Sequence, residues 1–196
     1  TLVYTLSLHD ALPIWLNNIV KACIKGDANA QTQLYKQFAG ILYAVCLRYA
    51  SNKDDARDIL QEGFIKIFDK LHQYKNKGSL EGWMRKVMVN TALERIRKAN
   101  RFVLMDDHSQ MENEHYQYEH ILEHIQEQEL LAMIQELSPQ YRMVFNLYAI
   151  EGYAHHEISS KLHISEGTSK SNLFRARELL KAKIESRYQV KIERVI

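Results

Sequence analysis

Residues 157–181, EISSKLHISEGTSKSNLFRARELLK, carry the side chains best suited to touching another molecule. They read as two helices around a tight turn, the second of them basic, which is how a helix is placed in the major groove of DNA. Ile158 and Leu162 stand four apart on one face of the first helix, and Ile164 is expected to close the turn as a shared core plug. Ser165 suits the N-cap position, its hydroxyl available to the exposed amides of Glu166 to Thr168. Leu173, Ala176, Leu180 and Ile184 then form one apolar stripe at three- and four-residue spacing. That leaves Lys170, Ser171, Phe174 and Arg175 on the outward side, where cations can neutralise phosphate and the other two can meet base edges. The competing reading is a solvated charged face on an ordinary surface helix. The cap, the turn and the preceding helix weigh against it.

A second group of candidate residues lies upstream. Leu60, Phe64, Ile67, Phe68 and Leu71 repeat as one helical face, with Asp58, Gln61, Glu62 and Asp69 opposite, a polar face that in isolation passes as solvation. The segment HQYKNKGSLEGW follows, with Gly78 and Gly82, and is expected to be a loop before a helix starting near Trp83. Aromatic, Asn and basic residues in such a loop suit capture of an unstacked single-stranded base, each stacking contact contributing about 1–3 kcal/mol. Arg85, Lys86, Arg95, Arg97 and Lys98 supply a positive field around it. Trp83 forms a four-residue stripe with Val87 and Thr91, which favours a core or duplex-edge anchor over a base-stacking role.

Residues 138–181, SPQYRMVFNLYAIEGYAHHEISSKLHISEGTSKSNLFRARELLK, resemble the fourth region of a group-four, or extracytoplasmic-function, bacterial sigma factor. The pattern is approximately L-[ST]-P-x-x-R-x-V-F-x-L, then E-G-x-[ST]-x-x-E-I-A, then L-G-I-[ST]-x-G-T-V-K-S-[RN]-L-x-R-A-R. Residues 54–98, DDARDILQEGFIKIFDKLHQYKNKGSLEGWMRKVMVNTALERIRK, are similar to the second region of the same family, so both matches fall in the right order. Three of the departures from the pattern are Ala154 for a capping Ser or Thr, Ser159 for Ala, and His163 for the Gly of the turn. A His held at positive φ costs about 1 kcal/mol relative to Gly.

The resemblance implies an all-α protein of two small helical domains joined by a flexible acidic linker, acting without enzymatic activity, cofactor or metal. It implies that Asp58, Gln61 and Glu62 dock the clamp helices of the largest RNA polymerase subunit. Tyr74 and Asn90 match the pocket for a flipped minus-10 base, with Lys75, Trp83, Arg85, Lys86 and Arg97 around it. Thr168, Lys170, Ser171, Phe174, Arg175 and Arg177 fall on the minus-35 element. The implied partners are core RNA polymerase, promoter DNA and an anti-sigma factor.

Charge distribution fits this layout. The net charge of the 196 residues is only +2, but residues 1–98 carry 15 Lys or Arg against 9 acids, residues 99–137 carry 1 against 9, and residues 138–196 carry 10 against 6. Two basic domains therefore flank an acidic connector. The expected organisation is a domain at 15–98, a linker at 99–128, a domain at 129–190 and a tail at 191–196. Residues 1–14, TLVYTLSLHDALPI, lie outside the resemblance and are expected to be disordered or foreign to the fold. The linker is poor in aliphatic residues and can reach up to ~100 Å. Its acids either thread the polymerase near the RNA path or only keep the chain off DNA. His120 and His124, with His115 out of register, read as solvated rather than as a metal site. Cys23 and Cys46 fit no disulfide framework, and no apolar run reaches membrane-spanning length, so a cytoplasmic protein with reduced thiols is expected. Two alternatives stay open: a helix-turn-helix regulator that binds DNA alone, and a His-rich metal-handling protein.

Overall fold

Polar caps and apolar faces divide the chain into helices at nearly every place where the pattern predicts them. A computed structural model describes residues 13–76, 78–98, 115–116, 127–189 and 194–195. Residues 1–12, most of the 99–128 linker with His120 and His124, and Lys77 lie outside the described residues. The chain forms two compact units, Thr1–Arg95 and Ile96–Ile196.

In the first unit, α1 (Ile14–Ile24) follows Pro13 and buries Leu16, Val20 and Cys23. Helix α2 (Ala28–Tyr49) starts where the Asp27 carboxylate accepts from the Ala30 amide at 2.8 Å. Helix α3 (Lys53–Lys70) is capped by Asn52, which accepts from the Asp55 amide at 2.8 Å, and Asp54 and Asp55 complement the dipole at its N-terminus. A 3-10 turn (Leu71–Gln73) leads to the loop, and α4 (Leu80–Lys98) follows. This helix begins three residues before the expected start at Trp83, because the Ser79 hydroxyl accepts from the Gly82 amide at 3.0 Å.

Met88 is the centre of this unit. It is fully buried, with its sulfur 4.0 Å from Cys46 Sγ on α2. It also fills the space beside Gly63 on α3, where a Cβ would lie 2.1 Å from Met88 Sδ. Any side chain at Gly63 would force the end of Met88 to move. The contact fixes α3 with Leu60, Phe64 and Ile67 inward and Asp58, Gln61 and Asp69 exposed, as the pattern predicts. Both cysteines are free and buried, and burial pushes the Cys46 thiol up to about 12, so it stays protonated.

The second unit contains α5 (Glu127–Gln135), α6 (Pro139–Phe145), a π-helical turn (Asn146–Ile150), α7 (His155–Leu162) and α8 (Glu166–Tyr188). Met133, Ile134 and Leu137 pack against Ala176, Leu180 and Ile184, so the apolar stripe read from the sequence is the core of this unit. Arg142 is buried in it and donates to the Gln135 carbonyl at 3.0 Å, closing α5 onto α6. One short antiparallel pairing joins β1 (His115–Tyr116) to β2 (Arg194–Val195), with His115 opposite Val195 and Tyr116 opposite Arg194. It brings the backbone of two segments read as linker and tail into one ladder, and the protein is otherwise all-α among the described residues.

Candidate nucleic-acid interface

Helix α7 ends on His163 at φ 56°, ψ 44°, the left-handed conformation that the missing turn glycine predicts. Its start is only half capped. Ala154 has no side-chain acceptor, and what remains of the capping box is the Glu157 carboxylate accepting from the Ala154 amide at 2.9 Å. Ile158 and Leu162 are buried, but Ile164 is only half-buried, so it covers the turn without plugging the core as expected. Ser165 caps α8 as predicted, accepting from the Thr168 amide at 2.9 Å, and its hydroxyl is also 2.8 Å from Thr168 Oγ1.

Helix α8 is 23 residues long, which sets its outward face rigidly against its buried one. Lys170 and Arg175 are exposed, Phe174 and Ser171 are half-buried beside them, and Ser171 donates to the Thr168 carbonyl at 3.1 Å. These four share one face near the N-terminal half of the helix, with Thr168 at its head. Arg177 lies apart from them. Its guanidinium sits over the Tyr148 ring at 5.6 Å, toward the π-helical turn rather than outward, because the ring offers a cation–π partner.

Three residues here escaped the sequence reading. Tyr148 stacks on His155, with ring centroids 4.7 Å apart and 24° between planes. His155 Nδ1 lies 2.9 Å from the Oγ of Ser169, which is completely buried. Burial, and then the charge of Lys170, hold the His155 imidazole below its ordinary range. The visible signal was Ser169 itself, which stands where the sigma-factor pattern has Val.

In the first unit the loop after α3 is tied by the Tyr74 hydroxyl, which donates to the Gly78 carbonyl at 2.7 Å, with Gly78 at φ 80° and Asn76 at φ 56°. The Tyr74 ring faces Trp83 across 5.9 Å. Trp83, Lys86, Asn90 and Arg97 fall on one stripe of α4 at three-, four- and seven-residue spacing, so the fold brings most of the predicted base-reading residues together. Lys75 is exposed in the adjoining loop. Arg85 is off that stripe and pairs with Glu81 at 3.7 Å. Trp83 is half-buried, and of its predicted stripe only Thr91 is buried, so it is not a core anchor.

The acidic face of α3 is cross-linked to α4. Lys66 bridges Glu62 at 2.9 Å and Glu94 at 2.8 Å, and Arg95 bridges Asp55 at 2.9 Å and Asp58 at 2.8 Å. Burial opposes the Lys66 ammonium, but its bonds to Glu94 and Glu62 outweigh this and raise its pKa. No group of three or more His, Cys, Asp or Glu among the described residues is placed to hold a metal ion. No described helix is long and apolar enough to cross a membrane.

Two helical units, one presenting a capped helix with cations outward, define a helix-turn-helix DNA-binding protein. The chain belongs to the sigma-70 family and to its extracytoplasmic-function group: residues 34–102 match Sigma-70 region 2 and residues 127–180 match Sigma-70, region 4. It is 30% identical over 153 residues to the ECF RNA polymerase sigma factor SigE of Mycolicibacterium smegmatis, covering 76% of this chain and 59% of that protein. It is 24% identical over 173 residues to the RNA polymerase sigma-H factor of Pseudomonas aeruginosa, covering 83% of this chain and 90% of that one. Among solved structures it is similar to the sigma factor RpoE of Bartonella quintana, crystallised with the anti-sigma factor NepR. The TM-score is 0.48 at 22% identity, covering 79% of this chain and 96% of that one.

Proposed function

We propose that this chain binds core RNA polymerase and directs promoter-specific initiation, reading the minus-10 element with residues 15–98 and the minus-35 element with residues 129–190. The observation that carries this reading is the outward set Lys170, Ser171, Phe174 and Arg175 on a Ser165-capped helix, in a chain that also carries region 2 upstream in the family's order. Exposed cations suit phosphate, while the half-buried aromatic and hydroxyl beside them suit base edges. In the first unit, Tyr74, Trp83 and the Lys86–Asn90 stripe offer stacking and hydrogen-bonding groups for an unpaired strand. Asp58, Gln61 and Glu62 present the acidic surface for a basic polymerase element. The chain is not an enzyme in this scheme, since the polymerase supplies the chemistry. It acts in the cytoplasm and is held in check by an anti-sigma factor.

Run-off transcription with core polymerase on genomic fragments, followed by start-site mapping, tests this directly. The expected result is discrete starts that depend on the added chain and share two upstream elements. A chain that footprints DNA as a symmetric dimer and does not co-purify with core polymerase would instead be a free-standing regulator.

A further inference from the structure

Four side chains of the second unit form a continuous stack leading to the recognition helix. The Arg177 guanidinium lies 5.6 Å from the centre of the Tyr148 ring, Tyr148 lies 4.7 Å from the His155 ring, and His155 Nδ1 lies 2.9 Å from Ser169 Oγ. Ser169 has no solvent exposure, and a buried hydroxyl needs a partner. With its proton on Nε2, a neutral His155 accepts from the Ser169 hydroxyl. The buried face of α8 beyond Ser169 carries Asn172, Leu173 and Ala176, and the packing of the two apolar side chains is non-directional. The bond from His155, the first residue of α7, is a directional link at the level of Lys170.

We propose that His155, flat against Tyr148 and bonded to Ser169, is a positioning residue for minus-35 recognition. In its neutral form it fixes the rotation of α8, and so the direction in which Lys170, Ser171, Phe174 and Arg175 face; protonation weakens that hold. The inference rests on the reading of α8 as the minus-35 helix.

The charges around the imidazole set the sign of the pH effect. Lys170 and Arg177 of α8 oppose a positive ring and Glu166 favours one, while the π-helical turn contributes the uncharged face of Tyr148. Burial is the largest influence and also favours the neutral form, so the folded pKa lies below the ordinary 6.5. The hold is fully present above that value and is lost as pH falls through the lower folded one.

The test uses holoenzyme assembled from the full chain and core polymerase, on two templates differing only in whether the minus-35 element is intact or replaced. The ratio of affinities for the two is the minus-35 contribution. S169V and H155A are each expected to lower that ratio about three- to ten-fold at pH about 7.5, while affinity for the replaced template stays unchanged. H155Q keeps an acceptor without a titrating ring. It should retain most of the ratio and make it pH-independent, whereas the parent ratio is level above pH about 6.5 and falls as the pH is lowered below it toward about 5. Thermal unfolding of each variant, followed by circular dichroism, accompanies the binding. Where H155A fails to fold, S169V and H155Q decide the matter. The proposal is overturned if S169V keeps the parent ratio, if the variants lose affinity equally on both templates, or if the parent ratio is flat with pH. A parent that shows no minus-35 dependence at all refutes the sigma-factor reading, and the inference with it.

Discussion

Glu62→Gln isolates the proposed polymerase contact from the fold. Glu62 Oε1 lies 2.9 Å from Lys66 Nζ one turn along α3, with the side chains 36% and 24% exposed. A partly exposed pair at this spacing is worth about 0.3–0.5 kcal/mol. Lys66 also keeps Glu94 at 2.8 Å, so removing the Glu62 charge leaves no buried cation unmatched. The melting temperature should therefore fall by no more than about 1–4 °C. A charged hydrogen bond lost against a basic partner costs about 1.5–3 kcal/mol. That corresponds to a rise in Kd for core polymerase of roughly 10- to 150-fold. Glu62→Lys is the more drastic change and the less informative one, because it also sets a cation against Lys66 within the protein. The assay is titration of fluorescently labelled chain with core polymerase at two salt concentrations, beside a circular dichroism melt. Unchanged Kd with native helicity removes Glu62 from the docking surface. A loss of affinity that merely tracks a loss of helicity refutes the separation of contact from fold.

Other substitutions probe the remaining surfaces. Tyr74→Ala is expected to reduce open-complex formation on duplex promoters, and a template already unpaired at the minus-10 element should recover only part of the defect. Tyr74→Phe removes the bond to Gly78 but keeps the ring, so full recovery of the Ala variant on the unpaired template, or equal defects in both variants, would mean that Tyr74 holds the loop rather than a base. Arg175→Ala should relax preference at one minus-35 position at a cost of about 1–3 kcal/mol, while Lys170→Ala should weaken all sequences alike and lower the salt slope by about one unit. Single-base variants of the element, titrated at several salt concentrations, separate the two; no change in any of these measures makes the charged face a solvated one. Gly63→Ala gains about 1 kcal/mol in helix propensity but forces the fully buried Met88 to move, for a net loss of up to about 2 kcal/mol in the first unit. Parent-like thermal unfolding would show that Met88 re-seats freely.

The helix-turn-helix was legible because its determinants are local. The Leu173 to Ile184 stripe and the Ser165 cap lie within one helix and its first turn, and the absence of glycine at His163 foretold a strained turn residue. Departures arise where a second element decides. Ile164 stays half-buried although its sequence position resembles a plug. Arg177 has the spacing of an outward residue, yet Tyr148 draws it to the other side. The π-helical turn that presents Tyr148 follows directly on α6, and no local periodicity distinguishes it from ordinary helix. In the first unit, the early start of α4 depends on one hydroxyl of Ser79 in a segment whose Gly and polar content otherwise describe a loop. The internal pairing of Asp58 was hidden for a different reason: its partner Arg95 reads as part of a general positive field, and only the approach of α3 to α4 joins the two; Glu62 and Lys66, by contrast, stand four apart on one helix.

That pairing bears on how the acidic face can serve a partner at all. A carboxylate already bonded within the protein attracts a basic surface less, and giving it up would normally loosen the packing behind it. Here each cation holds two carboxylates. Arg95 is bonded to Asp55 as well as Asp58, and Lys66 to Glu94 as well as Glu62. Asp58 is the more exposed of the Arg95 pair, at 57% against 20% for Asp55, so an incoming cation meets Asp58 first and leaves the inner bond in place. Exchange of exposed ion pairs of this kind costs little. Helix α4, which carries Trp83, Lys86 and Asn90, would therefore remain anchored to α3 through Arg95 and Asp55 if Asp58 turned to a basic partner. On the proposed reading, docking at Asp58 and strand reading on α4 could share one pair of helices, because neither would have to break the Arg95–Asp55 bond.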